Sequence, residues 1–279
     1  MARILAKSAQ SLQQVCQGPS KLEVDYREIL KTGLTPSASG SAYLELETTP
    51  QHLKKPHSRQ PALKLACTVH GPKPLPRSAP FSSQLILSTR VKFAPFATRE
   101  RKGYVPDPSE RDLAAHLDTA LRGVLLAERW PKSGFDVIVT VLEGEQDTSV
   151  VESANTCGML DMMNILSGCI TVASAAMVDA GIDSCDIATG GVAALVAHAG
   201  DEQSYVLDPC PSEEQTVIAA CVVAYLESRD EITELWAKDS GHSLNEEART
   251  VVNYETLVDN AVEAASAARL VLLEILQER

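Results

Sequence analysis

A chain of 279 residues with 44% apolar content can bury a full core, and its length suits one large domain or two small ones. Only 4% of it is aromatic, so Val, Ala, Leu and Ile must fill that core. The net charge of −12, a polar first stretch with no apolar run of signal or membrane-spanning length, and seven scattered cysteines without a C-x-x-C pair argue against a secreted, membrane, disulfide-framed or zinc-bound protein.

The charge is unevenly laid out. Residues 1–132 hold 20 Lys and Arg against 11 Asp and Glu, whereas residues 133–228 hold 15 acids and no Lys or Arg. Such polarity usually reflects different solvated faces, and it is also how a polyanion or an acidic partner is received locally. The cysteines read as reduced, mostly buried small hydrophobes.

Residues 1–37 carry no sustained periodicity and read as an extended arm or cover, with the folded domain placed at 25–279 and 1–24 as the arm. Tyr43-Leu44-Glu45-Leu46-Glu47 and Leu63-Lys64-Leu65-Ala66-Cys67-Thr68-Val69 alternate apolar with polar residues, which predicts two paired strands. They flank a proline-rich insertion near 48–62. Gly71-Pro72 ends the second, and Lys73-Pro74-Leu75-Pro76-Arg77 leaves two cations on an extended backbone. Gln84–Phe93 reads as another strand, delivering the chain to Arg99, Arg101 and Lys102.

Ser109-Glu110-Arg111-Asp112 fits a capping box with Ser109 as N-cap, and Leu113, Leu117, Leu121 and Val124 line a helix of about four turns that runs to roughly Glu128. Phe135–Leu142 is the apolar run of a strand covered on both faces. Residues 143–164 read as an acidic loop-like insertion that can hold a helical turn near Met159–Met163, and Ile165–Asp179 as a buried helix ended by Gly181. Val192–His198 and Ser204–Leu207 are strands turning through Gly200-Asp201. Thr216–Leu226 and Glu231–Trp236 suggest a second sheet, and Leu257, Ala261, Ala265, Ala268, Leu272 and Leu276 mark an amphipathic C-terminal helix. The sum is a mixed α+β domain with helices packed on sheets.

Several strings occur in the order of one family. Gly40-Ser41-Ala42, Ala66-Cys67-Thr68-Val69-His70-Gly71-Pro72, the Ser109–Arg122 helix before an apolar strand, Ala180-Gly181-Ile182, and Tyr205-Val206-Leu207-Asp208-Pro209 together resemble the ribonuclease PH-like family, and within it the ring subunits of the eukaryotic RNA exosome. The resemblance implies a fold like the second domain of ribosomal protein S5 and a place in a hetero-oligomeric ring around an RNA channel. It also implies as partners other ring subunits, S1/KH-type cap subunits, channelled single-stranded RNA and associated catalytic ribonucleases. It implies a nuclear, nucleolar and cytoplasmic location.

Active relatives degrade RNA from the 3′ end by phosphorolysis, which needs a phosphate cradle, cations and a carboxylate. Asp208 stands where the family's catalytic acidic strand end begins. Met163-Asn164-Ile165-Leu166-Ser167-Gly168 replaces the arginine-bearing phosphate turn, and Ala115 and Thr119 stand where active members carry arginines. The expectation is therefore a non-catalytic subunit without cofactor or metal, a composite site with a neighbour staying open. The alternatives are an active phosphate-dependent 3′ exoribonuclease and an S5-like domain of another ribonucleoprotein. The same resemblance makes Arg99, Arg101, Lys102, Lys73 and Arg77 the candidate RNA contacts. His70 and His116 lack partners at ligand spacing. The aromatic residues form no evident stacking platform.

Overall fold

In the computed structural model, the alternating stretches Tyr43–Glu47 and Leu63–Val69 form an antiparallel ladder. Strand β2 (Gly40–Thr49) pairs with β3 (Ala62–Pro74), setting Leu44 opposite Leu65 and Glu45 opposite Lys64. Residues 25–49, 62–76, 81–98, 101, 103, 105–144, 158–197, 203–209, 217–239 and 253–277 are described. The expected arm 1–24, most of the proline-rich loop and the body of the acidic insertion lie outside them.

The first sheet runs β1-β2-β3-β5-β4. Strand β1 (Asp25–Thr32) pairs antiparallel with β2, and β5 (Ser133–Glu143) runs antiparallel to β3 and parallel to the edge strand β4 (Ile86–Phe93). Parallel neighbours need a crossover, and helix α1 (Pro108–Val124) supplies it. The second sheet is antiparallel in the order β7-β6-β8-β9: β6 (Thr189–Ala197), β7 (Gln203–Leu207), β8 (Val217–Leu226) and β9 (Glu231–Asp239).

Helix α2 (Met159–Asp179) lies between the sheets, packed on β2 and β3 from one side and on β6 and β8 from the other. It is long and apolar enough to span a membrane, contrary to the sequence reading, but its apolar surface is used up inside the protein. Leu160, Met163, Leu166, Ile170, Ala173 and Ala176 are all fully buried. At about 1.5–3 kcal/mol for each large apolar side chain removed from water, this helix is the main tie between the two sheets. Helix α3 (Tyr254–Gln277) covers the far face of β6 and β8 with Leu257, Ala261 and Ala265, and its Leu272 joins the main core. The layers are sheet, helices α1 and α2, sheet, helix α3.

Four local expectations are corrected. Residues 25–32 are not part of an arm but an edge strand, because β2 offers them a free ladder even though Ile29-Leu30 breaks their alternation. The N-cap of α1 is Asp107, not Ser109: Pro108 takes the first helical position, and Glu110 Oε2 accepts the Asp107 N–H at 3.1 Å. That helix stops at Val124, and a 3₁₀ turn (Ala127–Arg129) follows before Trp130. The helical turn expected near Met159–Met163 is continuous with the buried helix, so α2 begins at Met159 and not Ile165, since tertiary burial of Leu160 and Met163 outweighs the polar Asp161 and Asn164. Its end is as expected, with Gly181 at φ +68° after the last turn.

Cys67, Cys169 and Cys221 are buried free thiols. Burial pushes the Cys221 thiol up to about 11 and raises the other two further, so they behave as apolar filler.

Candidate phosphate and RNA site

The residues expected to form a phosphate site do meet in space. Asn164 in the first turns of α2 donates from Nδ2 to the Pro209 carbonyl at 3.0 Å, tying that helix end to the turn after β7. Asp208 starts the turn in the left-handed region at φ +47°. Its N–H bonds to the Val192 carbonyl at 2.9 Å, and its Oδ1 accepts the Val192 N–H at 3.4 Å. The carboxylate thus closes a strand-end turn, the role that short acidic side chains commonly take.

The described acidic side chains at this junction carry the same sign as a phosphate. A helix N-terminus attracts phosphate through its free N–H groups and dipole. Here Asp161 occupies the first turn of α2, nearly buried, and its Oδ2 accepts the Gly158 N–H at 3.3 Å. No Lys or Arg lies anywhere in residues 133–228, so Asp161 and Asp208 have no cation from either loop to offset a phosphate. On α1 the expected arginine positions show Ala115 and Thr119 on the exposed face, the Thr119 hydroxyl donating to the Ala115 carbonyl at 3.1 Å. Among the described residues no cluster of His, Cys, Asp and Glu forms a metal site.

Tertiary ion pairs between the two charge-biased parts of the chain offset some of its uneven charge. Lys64 bridges Glu143 at 2.9 Å and Glu45 at 3.3 Å, Arg129 pairs with Asp183 at 3.2 Å, and Lys73 pairs with Asp136. Arg269 from α3 holds both oxygens of Asp186 and reaches Glu227. His116 is a structural contact, its ring stacked on Trp236 at 4.8 Å and its Nδ1 2.7 Å from Glu234, which fastens α1 to β9.

These pairs sort the candidate RNA contacts. Lys73 is half-exposed but engaged with Asp136, so a phosphate would have to compete for it. Arg101 is exposed and makes no ion pair with a described residue. Arg77, Arg99 and Lys102 lie outside the described residues. Sequence reasoning missed Phe81 and Phe96, which stand 73% and 74% exposed on either side of β4.

The family model for the 3′ exoribonuclease family, domain 1 (RNase PH), matches residues 25–183. The chain belongs to the RNase PH family of 3′ exoribonucleases. That match spans the first sheet, α1 and α2. The chain is 53% identical over 251 residues to exosome complex component MTR3 of Chaetomium thermophilum, covering 89% of this chain and 84% of the relative. It is 28% identical over 211 residues to exosome complex component mtr3 of Schizosaccharomyces pombe, covering 75% of this chain and 69% of the relative. The crystal structure of rice Rrp46 superposes with a TM-score of 0.64 over 94% of this chain and 98% of that one, at 19% identity, which fixes the shared fold. The expected α+β ribonuclease PH-like fold is therefore present in this family member.

Proposed function

We propose that the chain is a ring subunit of the RNA exosome that builds the assembly and its RNA channel without cutting RNA itself. The observation that supports the non-catalytic part is the junction of α2 with the Asp208 turn, where the described side chains are Asp161, Asn164 and Asp208 and neither contributing segment, both within residues 133–228, holds a Lys or Arg. Phosphoryl transfer depends on positive groups placed where charge develops, and this junction carries the opposite sign. Similarity to two exosome components supports the assembly part. On this reading its partners are related ring subunits, S1/KH-type caps, associated catalytic ribonucleases and single-stranded RNA, in nucleus, nucleolus and cytoplasm. The folded domain is residues 25–279 behind an N-terminal arm.

The test has two arms. Affinity purification of the native complex is expected to return a heteromeric set of ring and cap subunits, identified by mass. The isolated chain, given inorganic phosphate, Mg²⁺ and RNA with a single-stranded 3′ tail, is expected to release no nucleoside diphosphate. Release that Asp208→Ala abolishes would establish an active enzyme instead.

Arg99, Arg101, Lys102, Lys73 and Arg77 are proposed RNA contacts in the channel. Replacing Arg99, Arg101 and Lys102 together with Ala is expected to leave assembly intact and to weaken retention of long RNA in the complex about tenfold at moderate salt. Unchanged protection length and degradation of a long tail would remove these residues from the RNA path.

A further inference from the structure

We infer that the free edge of β4 and its two flanking aromatics form a docking strip for single-stranded RNA, built from Arg90, Lys92, Phe96 and Phe81. The inference deepens the RNA-channel reading and rests on it. Alternation along β4 puts Leu87, Val91 and Phe93 in the core and leaves Arg90 and Lys92 exposed on the outer face of the first sheet. No strand among the described residues pairs with the outer edge of β4. Where Lys64, Lys73, Arg129 and Arg269 are spent on carboxylates, Arg90 and Lys92 form no ion pair with a described residue. The acid beside them on this face, Asp136 opposite Ser88, is already neutralised by Lys73.

Cations on an edge strand are by themselves a common guard against strand-to-strand association. The aromatics point the other way, since exposed Phe invites association. Phe96 sits at the apex of a turn closed by the Ala97 N–H to the Ala94 carbonyl at 2.9 Å, with Ala94 and Ala97 both buried. Ala94 is held by its N–H to the Val141 carbonyl at 2.9 Å and Gly144 by its N–H to the Ala97 carbonyl at 3.3 Å, while Glu110 takes the Phe93 N–H at 2.8 Å. These anchors hold the backbone of the turn at the surface, with the Phe96 ring exposed.

At the opposite end of β4, Phe81 is equally exposed, with the Lys132 ammonium 5.3 Å from its ring centroid. Lys132 directly precedes β5, whose Gly134 lies opposite Ile86 at the start of β4. The strip thus reads aromatic, cation, cation, aromatic, the cations on a strand of about 26 Å and the aromatics beyond its two ends. Arg90 and Lys92 stand about 6.6 Å apart along it. Aromatic faces interleaved with unpaired cations are the chemistry that binds single strands without sequence preference, and about four nucleotides is the smallest common site. A protein partner that lacked acids at this face would leave Arg90 and Lys92 desolvated and uncompensated.

The experiment uses the purified native complex and a fluorescent oligouridine, followed by anisotropy across a salt series. Arg90→Ala with Lys92→Ala is expected to weaken binding about five- to tenfold and to flatten the salt slope by about 1.4, two single-strand phosphate contacts. Phe96→Ala is expected to weaken binding at least about fivefold with the slope unchanged, the mark of lost stacking. Lys31→Ala, an exposed cation on the far edge strand of the same sheet, is the control and leaves both readings as they were. Unchanged affinity and slope in the β4 and Phe96 variants would overturn the strip. So would a loss of RNA that accompanies loss of neighbouring subunits, because the face would then be a protein interface. Failure of the complex to contain ring subunits at all would instead overturn the broader reading.

Discussion

Gly190→Ala is expected to lower the melting temperature by about 6–12 °C, and Gly191→Ala to do the same. These adjacent residues of β6 face opposite sides of the second sheet. A Cβ on Gly190 would come within 2.5 Å of the Ser167 Cα and carbonyl oxygen in α2, and one on Gly191 within 2.2 Å of the Ala261 carbonyl oxygen and 2.4 Å of the Ala265 N in α3. Both collisions are with helix backbone, so no rotamer change relieves them and an element must move. Overpacking of that kind costs about 3 kcal/mol, and a chain of this size loses about 2–4 °C per kcal/mol.

The polar bonds at the same crossing would fail with it. The Gly190 N–H reaches Thr171 Oγ1 at 3.2 Å, and the Thr189 hydroxyl donates to the Ala265 carbonyl at 2.8 Å, both buried. Pushing either helix away leaves such groups unpaired out of water. Gly103→Ala is the control, since a Cβ there meets nothing within 4 Å. Thermal melts of the three variants decide it: a loss at Gly190 or Gly191 no larger than at Gly103 would mean that the sheet is not clamped between α2 and α3.

How much of this was readable beforehand depends on where each feature's cause lies. The β2–β3 ladder, the α1 stripe of Leu113, Leu117 and Leu121, and the Gly181 cap arise from local periodicity or backbone preference, and they stand where the residues put them. Strand β1 exists because a distant partner covers it, and the Met159–Met163 turn is fused to α2 by burial that its local pattern does not announce. The same division runs through the site. Missing cations in residues 133–228 were visible as composition. The capture of Lys73 by Asp136, 63 residues away, was not. Phe96 did carry a local signal, a Pro-Phe pair between two alanines, but its exposure follows from anchors in β5 and α1.

The ion network around Arg269 gives the other large expected effect, because it is one of few cations committed to the acidic half of the chain. Its guanidinium holds Asp186 at 3.1 and 3.2 Å and also reaches Glu227, joining α3 to the loop before β6 and to the β8–β9 turn. The Arg269 and Asp186 side chains are only 16% and 12% exposed. Removing one partner of a nearly buried pair leaves the other charge stranded, so Arg269→Met is expected to cost about 3 kcal/mol at neutral pH.

The pH dependence separates charge from packing. Burial alone would raise the Asp186 carboxyl, but the Ile187 N–H, Arg269 and the Ser228 N–H together hold it below the ordinary carboxylate range. A depressed folded-state value means that the unfolded chain takes up the proton first as pH falls. The stabilisation is therefore fully present above the ordinary value of about 3.9 and disappears as pH drops through the lower folded value. Melting curves of the native and Arg269→Met chains should lie far apart at pH 7 and converge below about pH 4. A gap that stays constant down to pH 3 would show that Arg269 holds α3 by the packing of its aliphatic stem, with the paired charges contributing nothing.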